Sequence, residues 1–386
     1  MTRRPDADAS VTSLVSTTRS MMERHFQSEG YTVPNGSVYP WQWLWDSAFH
    51  AIVWNALGRP DRALAELDTL LGSGHPDGFV PHIGYHGPSP HADLWQRPDT
   101  SSISQPPMYG HAIAQLHRSG VSAPPALLDR AARGLSFLLR HRTRIEGLVS
   151  VVHPWETGAD NSPRWDHWID GDFTLDKWWA AKGTFVRSIV RSDSGAPISN
   201  PQFRCAPAGF NALVAFNALE LAEVTGDHDL ERDALEIVGA LDGSWCSDTS
   251  TWIDRGESSC GSGRVRTLDA LLPMLVSRRS DAVGAAVDQL LDPTAFAADH
   301  GPTGVHRQEP MFAPDTYWRG SAWPQLTYLL WWAAQRRGAS VLAGSLQAAA
   351  LRGAASSGLA EHWHPDDGTA LGAVPQSWTG LVVAMS

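Results

Sequence analysis

The sequence predicts an all-α protein in which an inner and an outer ring of helices close into a toroid. Three observations point there. Apolar residues recur at three- and four-residue spacing through about a dozen segments, Gly- and Pro-rich loops of very unequal length separate them, and strand signals are weak.

Taken in order, the expected helices are Ala9–Phe26, Asp46–Leu57, Pro60–Leu71, Pro106–Ser119, Pro125–His141, Gly209–Thr225, Leu230–Leu241, Thr267–Ser277, Asp281–Leu291, Gly320–Arg336, Ala339–Ser356 and Gln376–Met385. Leu64, Leu67, Leu70 and Leu71 show the spacing of one buried helical face. Pro60, Pro106 and Pro125 stand at or near helix starts, where a missing N–H costs nothing. The stretch Phe210–Leu221 is apolar on more than one face, which suits a helix packed on both sides. Gly147–Val152 is the best short strand signal. No low-complexity linker and no sharp repeat divides the chain, so one domain of 386 residues is expected, with residues 1–10 as a flexible arm.

Composition narrows the function classes. Hydrophobic residues make up 42% and charged residues 18%, which is globular and excludes a disordered chain. A net charge of −11 argues against a nucleic-acid partner, because neutralising phosphates needs a basic face. No stretch is long and apolar enough to span a membrane, and Met1–Ser10 does not open a signal peptide. The three cysteines, Cys205, Cys246 and Cys260, lack CxxC spacing and read as reduced thiols of a cytoplasmic protein. A homo-oligomer is compatible with all of this.

The unusual count is 18 Trp against 6 Tyr and 11 Phe. Sugar rings expose apolar C–H faces that stack on indole, so Trp clustered near carboxylates suggests a carbohydrate site; Trp also simply fills helix–helix gaps. Four segments combine the two residue types. In Tyr39-Pro-Trp-Gln-Trp-Leu-Trp-Asp46, Trp43, Trp45 and Asp46 open a helix, and Asp46 is either its cap or a carboxylate for sugar hydroxyls. His153-Pro-Trp-Glu-Thr-Gly-Ala-Asp-Asn-Ser-Pro-Arg-Trp-Asp166 is dense in acids, with Trp155 and Trp165 flanking them. Tyr317-Trp-Arg-Gly-Ser-Ala-Trp323 leads into an apolar helix. Glu361-His-Trp-His-Pro-Asp-Asp-Gly368 is followed by Val374-Pro-Gln-Ser-Trp378. Glycosidic hydrolysis needs one carboxylic acid to protonate the leaving oxygen and a second carboxylate to activate water or attack carbon. GxSxG, HExxH and phosphate-binding glycine loops are all missing.

These four motifs, in this order from Tyr39 to Trp378, resemble glycoside hydrolase family 63, most closely its small bacterial mannosylglycerate and glucosylglycerate hydrolases. The resemblance implies an (α/α)6 barrel and an inverting mechanism on α-linked glucose or mannose, with no cofactor. It assigns Asp160 as general acid and Glu361 as general base. It places Trp43, Trp45, Asp46, Phe79, Trp155, Gly158, Trp323 and Gln376 around the released sugar. Tyr39, Gln105, Tyr317 and Trp318 fall near the leaving group, with Tyr85 a looser match. Glycerate-specific members grip the carboxylate with an Arg and a Tyr after the acid motif. Here His167 to Ser199 contains no Tyr and offers Lys177, Lys182, Arg187 and Arg191 beside Trp178 and Trp179. The expected activity is therefore an inverting α-glycosidase, an α-glucosidase, on a small conjugate whose aglycone is neutral or sugar-like. A sugar epimerase working through paired histidines (His153, His362, His364) and a non-catalytic carbohydrate-binding protein are the alternatives. A terpene cyclase is excluded by the missing DxDD and DDxxD acids.

Overall fold

The computed structural model describes residues 5–256 and 264–385; Met1–Arg4 and Cys260 lie outside the described residues. Six elements close a ring: Leu44–Ala56, Tyr109–Arg118, Ala208–Thr225, Leu268–Leu275, Pro324–Arg336 and Ser377–Ala384. Each packs on the next, and the last packs on the first. Outside them lie Pro5–His25, Pro60–Gly72, Pro125–His141, His228–Asp242, Ser280–Leu291 and Ser340–Ser357. This is the (α/α)6 barrel that the sequence predicts.

The two rings differ as burial requires. Pro60–Gly72 buries Ala63, Leu67, Leu70 and Leu71 on one face. Ala208–Thr225 is buried all round. Its two amides are therefore matched: Asn217 Oδ1 accepts from His111 N (2.7 Å) and Asn211 Oδ1 from Val149 N (2.7 Å). Unmatched, each would cost about 1–3 kcal/mol.

The structure corrects several expected elements. The expected α-helix Thr267–Ser277 is a 3-10 helix, Leu268–Leu275, interrupted by Pro273, which has no N–H to give. Gln376–Met385 is likewise a 3-10 helix, Ser377–Ala384, whose Ser377 and Thr379 hydroxyls donate to Pro34 O and Ala360 O outside the helix. Pro106–Ser119 starts only at Tyr109, and the first helix starts at Pro5 rather than Ala9. The strand at Gly147–Val152 is one arm of a two-residue hairpin, Arg144–Ile145 with Leu148–Val149, turning through Glu146 and Gly147 at φ 49° and 87°.

Besides short helical turns such as Ala92–Trp95 and Pro163–Trp168, one long helix is absent from the expected set: Leu175–Arg187, capped by the Thr174 hydroxyl accepting from Lys177 N. Its buried face is Trp178, Lys182, Phe185 and Val186. That is helical spacing, but a lysine occupies the stripe and hides it from an apolar pattern.

The connections decide where function can sit. Turns from an inner element to its outer partner are short, as at 57–59, 226–227 and 337–339. Connections from outer to inner are long: 26–43, 73–108, 142–207, 292–323 and 358–376. These five meet at the N-terminal mouth of the inner ring. There they can pool side chains from distant parts of the chain.

Candidate active site

The mouth encloses a cavity of about 440 Å³ lined chiefly by aromatic residues and three carboxyl groups, Asp46, Asp160 and Glu361. It lies within the usual size range of a small-molecule site.

The wall at the first long loop begins with the pair Gln42–Trp43 against Ile83–Gly84, after which Leu44–Ala56 starts. Trp43 takes the N-cap position, so Asp46 lies inside the first turn and is not the cap. Its carboxyl faces the cavity, and burial, then the Glu361 charge, holds it well above the usual carboxylate range.

The second acid-rich segment sorts its three acids by partner. Glu156 is buried against Arg142 (2.6 and 2.8 Å) and accepts from Ser104 N and Val152 N. Asp166 pairs with Arg319 (2.7 and 2.8 Å). These two anchor the loop. Asp160 makes no ion pair among the described residues and stands in the cavity wall. Burial pushes its carboxyl up to about 7, against the pull of the Lys182 ammonium and with the push of Glu361. The loop reaches this position by turning at Gly158, φ 75°, where a Cβ would collide with the Trp45 ring.

Glu361 comes from the last long connection, held by the hairpin His362–Trp363 with Ala370–Leu371. Its N–H donates to Ala373 O (2.8 Å), and Trp378 Nε1 donates to its carbonyl (3.0 Å). The carboxylate accepts from Tyr39 OH (2.9 Å), Tyr317 OH (3.1 Å) and Ala373 N (2.9 Å). Burial raises its pKa, while these three donors oppose the rise by stabilising the charged form. Both phenols are pushed up in turn, chiefly by burial and then by the Glu361 charge, and so stay donors.

Tyr39, Trp43, Trp45, Asp46, Gln105, Trp155, Gly158, Asp160, Tyr317, Trp318, Glu361 and Gln376 all line the cavity, as does the looser match Tyr85. Trp43 Nε1, Trp318 Nε1 and Gln376 Oε1 are buried without a protein partner among the described residues, as groups meant for ligand hydroxyls would be. Two expected residues lie elsewhere. Phe79 is fully buried behind the wall, packed on His75 and Phe137. Trp323 is stacked between Trp318 (3.7 Å) and His362 (4.5 Å), so it backs the wall without forming it.

The cavity also takes Trp41, His82, His91, Leu94, Trp95, Trp179 and Trp378. Trp41 and Trp378 fall inside the four aromatic–acidic segments. His82, His91 and Trp95 lie in the turn-rich 73–108 connection, which carries no carboxylate motif to draw attention. Trp179 reaches the mouth, whereas Trp178 is buried and donates from Nε1 to Asp160 O (2.8 Å). The cations after the acid motif are engaged. Lys177 donates to Asp170 O and Asp172 O, Arg187 to Thr184 Oγ1, and Arg191 to Ser102 O and Oγ. Lys182 lies beneath three indoles.

Comparison with known proteins gives the family. Residues 39–379 match the mannosylglycerate hydrolase MGH1-like glycoside hydrolase domain. The chain is 26% identical to a mannosylglycerate hydrolase of Thermus thermophilus over 91% of its length and 95% of that protein's. It is 28% identical to a glucosylglycerate hydrolase of Mycolicibacterium hassiacum, over 90% and 91% respectively. In three dimensions it resembles a family 63 mannosylglycerate hydrolase of Thermus thermophilus solved in complex with Tris and D-glycerate. That match has a TM-score of 0.84 at 23% identity, covering 96% of this chain and 99% of that one. Among the described residues no helix is long and apolar enough to cross a membrane. The chain belongs to the MGH1-like glycoside hydrolases of family 63.

Proposed function

We propose that this chain is an inverting α-glycosidase acting on a small α-linked glucose conjugate, with Asp160 as general acid and Glu361 as general base. The observation that carries the reading is the contrast between two carboxyls in one cavity. Asp160 is buried, unpaired and pushed up to about 7, so it holds a transferable proton near neutrality. Glu361 faces three donors that favour its anion. In the reaction, Asp160 gives its proton to the glycosidic oxygen as the bond to C1 breaks. Glu361 takes a proton from the water that bonds to C1 from the opposite face. Asp46, Gln376 and the indoles of Trp43 and Trp45 surround the sugar, with Tyr39, Tyr317 and Trp318 toward the leaving group.

The histidine alternative fits less well. His153 is bound between Lys182 O and Trp155 N, and His362 lies against Trp323; neither lines the cavity, nor does His364. His82 does, but burial pushes it down to about 3 and its Nδ1 is engaged with Ser101 Oγ.

The relatives' names make α-glucosylglycerate and α-mannosylglycerate the first substrates to assay. Among the described residues no arginine lines the cavity, while Trp179 offers a ring face, which favours a neutral aglycone. The test has two parts. Proton NMR of the first-formed sugar should show the β-anomer from an α-glycoside; the α-anomer would overturn inversion. The kcat/KM values for α-glucosylglycerate and α-glucosylglycerol should then differ little. A glycerate preference above about a hundredfold, roughly 2.7 kcal/mol, would overturn the neutral aglycone.

A further inference from the structure

Of the 30 Lys and Arg residues in the chain only Lys177 and Lys182 are lysines, and both lie on the helix Leu175–Arg187. Lys177 is a surface residue that ties its own loop through Asp170 O and Asp172 O. Lys182 is different. It is 4% exposed, and its ammonium stands 3.7 Å from the ring centre of Trp179, 4.8 Å from Trp155 and 5.6 Å from Trp178. Among the described residues no carboxylate lies within ion-pair distance of it. Three indole faces support this buried cation at close range.

The cage is built against the acid loop. Trp178 Nε1 donates to Asp160 O (2.8 Å), and His153 Nε2 meets Lys182 O (3.1 Å) while its Nδ1 accepts from Trp155 N (3.1 Å). Trp155, Trp179 and Asp160 together form the cavity wall, with the lysine behind it. A guanidinium could not lose its charge at working pH; an ammonium held under indoles can.

We propose that Lys182 is a positioning residue that sets the protonation of Asp160 from behind the cavity wall, through the Trp155–Trp178–Trp179 cage. The inference rests on Asp160 being the general acid. Burial brings the ammonium down to about 8, and the Asp160 charge opposes the fall. The other titratable and charged groups around the pair are accounted for. Glu361 lines the same cavity and its charge pushes Asp160 up, and Tyr39 and Tyr317 stay protonated beside Glu361. His153, below the lysine, is held well below its usual range by burial, and Arg319 is consumed by Asp166. Among the described residues, Lys182 is the cation whose charge acts on Asp160.

The sign follows. A nearby cation favours the aspartate anion, so removing it raises the acid's pKa and extends the protonated form to higher pH. The alkaline limb of kcat/KM against pH should move up by on the order of one unit in Lys182→Met and return toward the wild-type position in Lys182→Arg. The second readout needs no turnover. With lysine labelled at 13Cε the protein gives two signals, assigned with Lys177→Arg, and the Lys182 signal should titrate at lower pH in Asp160→Asn than in wild type. An unmoved alkaline limb in Lys182→Met, or a Lys182 titration indifferent to Asp160→Asn, overturns the proposal. An unmoved limb with a KM rise confined to a carboxylate-bearing aglycone overturns it too, and makes the lysine an aglycone ligand. Full turnover in Asp160→Asn would instead remove the acid assignment itself, whatever the lysine signal does.

Discussion

At Asp160 the decisive property is what its carboxyl lacks. Glu156 and Asp166, four residues before it and six after, are each neutralised by an arginine, and only the acid between them is left to hold a proton. Replacing Asp160 by Asn keeps the volume and removes that proton. Turnover on a substrate with a poor leaving group should fall at least about a hundredfold while sugar binding persists, measured by steady-state kinetics and calorimetry. Near-normal rates would remove the assignment. Glu361 calls for a different measurement, because its anion is supported by phenols. Tyr317→Phe takes one donor from the carboxylate, so the Glu361 pKa should rise and the acidic limb of kcat/KM against pH should move up by about one unit. The alkaline limb, which reports the acid, should stay. A shift of the alkaline limb alone would reverse the two roles.

The elements that carry these residues are loops made rigid by a few contacts. The acid loop turns in the left-handed region at Gly158, and the ring of Trp45 occupies the space a methyl group would need. Gly158→Ala therefore strains the turn and displaces a cavity indole together. We expect kcat/KM to drop by at least about tenfold, since small displacements of positioned groups are costly, with the far-ultraviolet spectrum of the barrel retained. A fully active Gly158→Ala would show that the loop tolerates a different turn. Gly372 stands in the same relation to Glu361: φ is 71°, and a Cβ there would meet Glu361 Oε2. Neither constraint is legible in a helix pattern. The helix Leu175–Arg187 is another case, because Lys182 interrupts the very stripe that would have announced it.

On the scale of the whole barrel, the end away from the cavity is closed by a second polar cluster. Glu220 is buried and receives Arg118, Arg336 and His111, whose Nε2 meets Tyr328 OH at 2.9 Å. These groups come from Tyr109–Arg118, Ala208–Thr225 and Pro324–Arg336, so the cluster ties two neighbours of the ring to a helix beyond Leu268–Leu275. Glu220→Ala removes the buried acceptor shared by Arg118, Arg336 and His111, while Arg118 keeps Glu223, and should cost about 1–3 kcal/mol in denaturant unfolding. Activity at a permissive temperature should survive, because the cluster contributes nothing to the cavity wall. The arginine and histidine partners hold the Glu220 carboxyl down to about 2 against burial, below its usual range. Its contribution is thus full above about pH 4.5 and is lost as pH falls toward 2, so the gap between wild type and Glu220→Ala should narrow over that interval. A loss under about 1 kcal/mol would mean that the ring closes without it.

By itself the sequence determined the ring of helices, because apolar periodicity is a local property that each segment carries whatever its neighbours do. It also singled out Asp160, Glu361 and most of the residues that line the cavity, because they lie in compact aromatic–acidic motifs that resemble family 63 in order and identity. Only the tertiary structure decided which acids are spent on arginines, since Arg142 and Arg319 are unremarkable in sequence and meet Glu156 and Asp166 by folding. It alone turned Trp323 and Phe79 behind the wall and brought Trp95, His82 and Trp179 onto it. It alone set Lys182 under three indoles beside Asp160. Which face a side chain presents, and which charge it meets, depends on the packing of segments far apart in the chain.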